Sequence, residues 1–283
     1  MSELVTILVC LTTGVVTYLA FRDPSLRERL LFRPERILAH KEWYRMFSSA
    51  LIHADWTHLG LNLFSLYSFG RMLEGFWGVQ VFLLTYLGAV LAGSALSLAL
   101  HRNHDYAALG ASGGVCGVIF ATIFLVPGTG IGMFLIPISI PGPVFAVVYL
   151  GATFFALRRG IGNIGHDAHF GGAIAGLLGA VLVSPELCLA SPILFGACLL
   201  LSLTCPLILA RDPIGFSGTV SSFGRAQNKS NIRYQQYDET RARKQAQAAI
   251  DRLLDKVSTD GLHSLSPSER RTLENASAKA RRE

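Results

Sequence analysis

The sequence predicts an all-α protein: a polytopic membrane helical bundle of six core transmembrane helices, a seventh candidate span, and a soluble helical tail. Three observations predict it. The chain of 283 residues is 51% hydrophobic and 16% charged, with mean hydropathy +0.42, whereas a soluble domain carries about 25% charged residues. The deficit is uneven. Segments 79–100, 128–157 and 187–210 hold no Asp, Glu, Lys or Arg, and runs this long suit membrane spans better than core helices. From Arg211 onward the composition inverts, with 14 Lys/Arg and 9 Asp/Glu. These shifts divide the chain into a membrane domain, 1–210, and a basic soluble tail, 211–283.

The first expected span, 4–21, begins so near the N-terminus that a secretory signal has to be weighed. It lacks a basic leading segment and a small-residue cleavage site before Arg22-Asp23-Pro24, so it reads as a retained span. The loop 22–55 mixes Arg27, Arg29, Arg33, Arg36 and Lys41 with Leu30, Phe32, Ile37, Trp43 and Tyr44. That composition fits a segment lying in the membrane interface, and equally an ordinary amphipathic loop. Spans two and three are 56–73 and 79–100, and the fourth is 111–126. The fifth, 143–157, is short. Pro137, Pro141 and Pro143 precede it and predict an extended re-entrant or interfacial approach. The sixth is 168–183. Pro192 and Pro206 make 192–209 the seventh candidate, either a crossing or a buried or interfacial segment.

The tail reads as a helical pair. Residues 234–257 place Ala246, Ala249, Ile250, Leu253, Leu254 and Val257 at helical spacing, and Asp260-Gly261 ends the run. Ser266-Pro267-Ser268-Glu269 has the pattern of a second helix start, with Ser as cap, Pro first and Glu third. Nothing catalytic stands out there. Its positive balance suits anionic lipid headgroups. Mixed sign and the absence of a stacking-aromatic series argue against nucleic acid.

The chemistry lies at the heads of two spans. Ser112 stands in Gly110-Ala111-Ser112-Gly113 and His169 in Ala168-His169-Phe170-Gly171-Gly172. Ionisable or reactive groups at such positions are functional hypotheses by default. One span separates the two segments, so both run in the same direction and carry these residues near the same membrane face. Small-residue stripes follow each: Gly113, Gly117 and Ala121 on one, Gly172, Gly176 and Ala180 on the other. Such stripes let helix backbones approach closely in lipid, which predicts that Ser112 and His169 meet.

A positioned imidazole turns a serine hydroxyl into a nucleophile and then protonates the leaving amine. The negative charge formed on the attacked carbonyl needs donors, for which the Ser112 amide at a helix start is one candidate. His58 and Asn62, four apart on one helix face, are others, with His53 just before. An Asn in the apolar run Leu61–Phe64 is costly unless bonded, and a helix–helix hydrogen bond is its plain structural alternative. Asp167, two residues before His169, is expected to point away from it. Gly110, Gly113 and Gly114 leave room for substrate backbone beside Ser112.

The ordered set His58-x3-Asn62, Gly110-x-Ser112-Gly113 and Ala168-His169-x-Gly171-Gly172 resembles the rhomboid family of intramembrane serine proteases, over most of 4–183. The resemblance extends to Tyr44-Arg45 as the loop's aromatic-Arg pair and to Glu74 near the end of the second span. It implies a Ser112–His169 dyad, with the Ser112 amide, His58, Asn62 and Gly110 around the oxyanion. Accessory positions would be His53, Tyr44, Arg45 and Glu74. It also implies hydrolysis of transmembrane segments of protein substrates, by a multi-pass protein of the bacterial inner membrane. Two departures stand out. Tyr44 replaces the usual Trp, and Cys116 occupies the position, four after the nucleophile, where an aromatic residue often packs on the histidine.

Other classes fit less well. A client-binding relative without activity characteristically lacks the Ser or the His, and both are present. A transporter would often show two related halves, and no internal repeat is visible. His101 and His104 have ligand-like spacing without a matching Cys or Glu cluster, so a polar loop is the better reading and no metal or other cofactor is expected. Cys10, Cys116, Cys188, Cys198 and Cys205 sit in apolar stretches and read as packing residues without disulfides. Charge bias opposes the outward-facing site that the resemblance implies. The loops on the site's face carry ten Lys/Arg, while the other face has only Arg71 before the tail. Seven crossings would put the tail on the site's side, and six would put it opposite.

Overall fold

Gly78 turns the longest helix back on itself. In the computed structural model, α1 (Leu4–Arg22) leads into α2 (Pro24–Leu30), α3 (Pro34–His40) and α4 (Arg45–Ser48), and α5 runs Trp56–His101. Within α5, Gly78 has φ 85° and ψ 168°, a conformation other residues rarely adopt. A methyl group on Gly70 would lie 2.9 Å from the Phe82 ring. In a straight helix these residues would be about 18 Å apart. The two halves therefore double back as the expected second and third spans.

Residues 3–133, 136–159, 165–211, 250–259, 261, 264–266, 269–270 and 273 are described. The membrane part continues with α6 (Ser112–Leu125), β1 (Gly130–Met133), β2 (Ile136–Pro141), α7 (Gly142–Arg159), α8 (His166–Val183), α9 (Pro185–Cys188) and α10 (Pro192–Arg211). The proline-rich approach to the fifth span is extended, and it pairs antiparallel with β1, Gly130 facing Pro141 and Ile131 facing Ile140. That hairpin was not foreseen. Pro206 lies inside α10.

Among the described helices, α1, α5 and α8 are long and apolar enough to cross a membrane. Large apolar side chains at Leu8, Leu11, Leu61, Phe64, Phe76, Leu84 and Leu182 face outward, as lipid-facing residues must. The protein is a helical integral membrane bundle. At its centre lies α6, on which every residue except Ser112 and Ile119 is buried. Its 14 residues span about 21 Å, short of a bilayer core of about 30 Å, because its neighbours and not lipid surround it.

Glycine lets α5, α6 and α8 touch backbone to backbone. A Cβ on Gly93 would meet the Ala168 carbonyl at 2.7 Å, and one on Gly171 would meet the Ala92 carbonyl at 2.5 Å. On Gly172 or Gly176 it would run into the carbonyls of Gly113 or Gly117. Both stripes read from the sequence thus meet each other.

The chain forms two compact units, Met1–Arg225 and Ala226–Glu283. In the second, 250–259 is helical, and the Gly261 amide donates to the Val257 carbonyl with φ 80° at Gly261. Ser266 and Glu269 form a reciprocal capping box: the Ser266 amide donates to Glu269 Oε2 at 2.7 Å, and the Glu269 amide to Ser266 Oγ at 3.3 Å. Lys256 Nζ reaches Glu269 at 3.1 Å. Positions 234–249 lie outside the described residues.

Candidate active site

Ser112 is the first residue of α6 and is half-buried. The loop before it is pinned from three sides. The Gly110 amide donates to the Ser49 carbonyl at 2.9 Å, Ala108 and Phe32 exchange backbone bonds at 3.0 and 3.1 Å, and the Ala111 amide donates to His53 Nε2 at 3.2 Å. Gly110 has φ 123°, and a Cβ there would lie 2.7 Å from His58 Cε1. Only glycine fits between this turn and the His58 ring.

His53 is 1% exposed, and its hydrogen bonds assign its tautomer. Thr17 Oγ1 donates its one proton to the Leu51 carbonyl at 3.0 Å, so it accepts from His53 Nδ1 at 3.1 Å, leaving Nε2 to accept from Ala111. Burial, with the His58 ring beside it, pushes the His53 pKa from 6.5 down to about 3. The rings of His53 and His58 meet edge to face at 4.9 Å.

His58 follows the α5 cap, where its amide donates to Asp55 Oδ1 at 2.8 Å. One turn on, buried Asn62 donates Nδ2 to the His58 carbonyl at 2.9 Å. Its bond is thus made within its own helix, in place of a helix–helix bond. The Ser112, Gly113 and Gly114 amides have no acceptor inside α6 because they open it.

His169 is 7% exposed on the first turn of α8. Gly113 packs against Ala168, where an added Cβ would lie 3.2 Å from the Ala168 carbonyl. This contact sets the heads of α6 and α8 side by side. His169 Nδ1 lies 3.0 Å from Tyr149 Oη of α7, and Tyr149 Oη lies 3.2 Å from Cys116 Sγ of α6. His169 Nε2 is buried with no hydrogen-bond partner among the described residues, so Ser112 and His169 share no hydrogen bond. Sequence reasoning missed Tyr149. No motif or periodicity singles it out, although the missing aromatic at Cys116 signals that some other group must support the imidazole.

The remaining positions do other work. Asp167 is turned from His169 and takes His101 Nε2 at 3.3 Å and Tyr106 Oη at 3.3 Å, with the His101 and Tyr106 rings stacked at 3.7 Å. His101 is absorbed in that plate, while exposed His104 meets its ring edge to face at 6.0 Å. Among the described residues no group of His, Cys, Asp or Glu is arranged to hold a metal. Arg45 is buried in the first loop. Its Nη1 donates to the carbonyls of Glu28 and Leu31 at 2.8 Å each, and its Nε to Glu42 at 2.5 Å. Tyr44 is half exposed and donates to the Arg29 carbonyl at 3.2 Å. Glu74 stands some 24 Å along α5 from His58. There its carboxylate accepts the amides of Val5 and Thr6 and the Thr6 hydroxyl at 3.1, 2.8 and 2.6 Å, tying α1 to α5. Neither Arg45 nor Glu74 is brought to Ser112.

The model of the Rhomboid domain matches residues 40–186, from the end of α3 to α9, a range that contains His53, His58, Asn62, Gly110, Ser112, Tyr149 and His169. The chain belongs to the rhomboid family. Similar rhomboid proteins include Rhomboid protease GluP of Bacillus subtilis (strain 168), 31% identical over 144 residues, 51% of this chain and 27% of that one. Rhomboid protein 1, mitochondrial, of Saccharomyces cerevisiae is 34% identical over 141 residues, 47% and 40% of the respective chains. Putative rhomboid protease YdcA of Bacillus subtilis (strain 168) is 35% identical over 89 residues, 31% and 44%. The chain spans less than half the length of each of these relatives. In the tail, residues 235–279 match a second model, a family of unknown function, DUF6576.

Proposed function

We propose that this rhomboid is an intramembrane serine endopeptidase that cuts transmembrane segments of membrane proteins through a Ser112–His169 dyad. One observation carries the reading: Gly113 of α6 packs on Ala168 of α8, so a hydroxyl and a buried imidazole whose Nε2 has no partner among the described residues stand at neighbouring helix heads. His169 Nε2 takes the Ser112 hydroxyl proton as Oγ attacks the substrate carbonyl. The imidazolium then gives that proton to the leaving amine, and water hydrolyses the acyl-enzyme by the same route reversed. The oxyanion is received by the Ser112 amide and by His58 and Asn62. Gly110 keeps the approach clear of a side chain. His53 acts one step back, holding the Ala111 amide and so the turn that presents Ser112.

A substrate helix hides its carbonyls in hydrogen bonds. Segments with small, helix-weakening residues near the cleaved bond are therefore the expected class. The setting is the bacterial inner membrane, with lipid around the bundle, and neither metal nor other cofactor takes part. One observation favours a second reading, a catalytically inactive client-binding rhomboid: Ser112 and His169 share no hydrogen bond at rest. Resting geometry in such dyads is often loose and tightens with substrate.

Labelling of detergent-solubilised protein with a serine-reactive fluorophosphonate decides between them. Labelling of wild type that is lost in both Ser112→Ala and His169→Ala supports the endopeptidase. Absent labelling in folded wild type whose site is open to the probe favours the client-binding form.

A further inference from the structure

The imidazole of His169 is held from a helix that none of the sequence motifs touch. We propose that Tyr149 of α7 is a positioning residue for His169, an inference that rests on the serine-protease reading above. It holds the ring as the Nδ1–H tautomer and leaves the Nε2 lone pair for the Ser112 proton.

Three observations support it. First, the hydroxyl lies on the correct nitrogen: Tyr149 Oη is 3.0 Å from Nδ1. The ring planes are 30° apart with centroids at 6.2 Å, so Tyr149 flanks the imidazole as well as bonding it. Second, Tyr149 is itself fixed. Phe145 stacks on it at 5.8 Å, Phe120 of α6 meets it at 6.2 Å, and Cys116 Sγ takes the other side of the hydroxyl at 3.2 Å. Third, the protons can be accounted for in one direction that suits a base. Nδ1–H donates to Tyr149 Oη, and the Tyr149 hydroxyl proton goes to Cys116 Sγ, a weak acceptor. The reverse order, thiol to hydroxyl to Nδ1, would leave a buried Nε2–H with no acceptor among the described residues and no lone pair for Ser112.

The small residue at Cys116 follows from this arrangement. An aromatic ring there would occupy the space that Tyr149 enters from α7. The proton on Nδ1 never leaves in the cycle. Ser112 gives its proton to Nε2 and the leaving amine takes it away, while the Nδ1–H to Tyr149 bond keeps the ring from turning.

The test uses full-length protein with 15N-labelled histidine. The His169 ring nitrogens are assigned by comparison with His169→Ala, and cleavage of a model transmembrane substrate is followed in parallel. Wild type should show Nδ1 protonated and Nε2 bare. Tyr149→Phe keeps the ring and removes the hydroxyl. It should lose that tautomeric preference and lower kcat by about tenfold to a hundredfold, within what a general base contributes, while KM stays within about twofold. A wild-type ring protonated at Nε2, or a Tyr149→Phe variant with an unchanged ring spectrum, overturns the proposal. If Tyr149→Phe fails to fold, the wild-type tautomer decides alone. Should wild type neither label nor cleave while its ring shows the Tyr149-dependent tautomer, the positioning role stands and the protease reading falls.

Discussion

His53 Nε2 accepts the backbone N–H of Ala111 at 3.2 Å, which ties a loop before α5 to the residue that precedes Ser112. This bond exists only while His53 is neutral, since an imidazolium has no acceptor nitrogen. Burial holds the folded-state pKa near 3 against an ordinary 6.5. Between these values the unfolded chain binds the proton and the folded protein does not. The contribution to stability is therefore whole above pH 6.5 and falls toward pH 3, by at most about 1.4 kcal/mol per pH unit. Thermal unfolding midpoints measured across that window should decline for wild type and decline less for His53→Gln. Parallel slopes would remove His53 as the cause.

Gly110→Ala should be among the most harmful single changes. It forces a methyl group to 2.7 Å from His58 at φ 123°, a conformation that disfavours any side chain by about 1–3 kcal/mol before the clash is added. Fluorophosphonate labelling should fall sharply, because the turn presenting Ser112 and the ring of His58 are displaced together.

Gly172→Ala tests the approach of α6 to α8. The added carbon runs into the Gly113 carbonyl, and backbone cannot yield as a side chain does. We expect a loss of about 1–3 kcal/mol, read as a lower unfolding midpoint, together with reduced labelling. Gly88→Ala, in the interior of α5 where a Cβ meets nothing, is the control: its labelling should match wild type and its unfolding midpoint should not fall, since Ala is favoured over Gly in a helix by up to about 1 kcal/mol.

Glu74→Gln separates stability from chemistry. The carboxylate accepts three hydrogen bonds from the start of α1, and weakening them should cost about 1–3 kcal/mol. Its distance from Ser112 along the bundle predicts unchanged kcat and KM below the unfolding temperature. A selective loss of kcat would assign Glu74 a part in the site.

Gly78→Ala should destabilise by about 1–3 kcal/mol through backbone strain alone, since φ is 85° and ψ 168° there and no described atom lies near an added Cβ. A larger loss of stability would mean that the α5 hairpin needs glycine for more than its turn.

Charge-free runs, glycine stripes and the ordered Ser, His and Asn motifs made the bundle, the facing of α6 and α8, and the candidate dyad legible in the sequence by itself. These are local properties. Span length follows from bilayer thickness, and a small-residue period marks the face where two backbones meet. The sequence also marked Gly110 and the absence of an aromatic at Cys116. It could not say what replaces that aromatic. Tyr149 lies 20 residues before His169 on another helix, and whether its hydroxyl reaches Nδ1 depends on how α7 is rotated and how deep it sits. The same holds for Asp167 bonding His101 and Tyr106, and for Glu74 capping α1. Tertiary structure alone decided these pairings, because the depth and rotation of each helix are set jointly by all its neighbours and leave no period in any one segment.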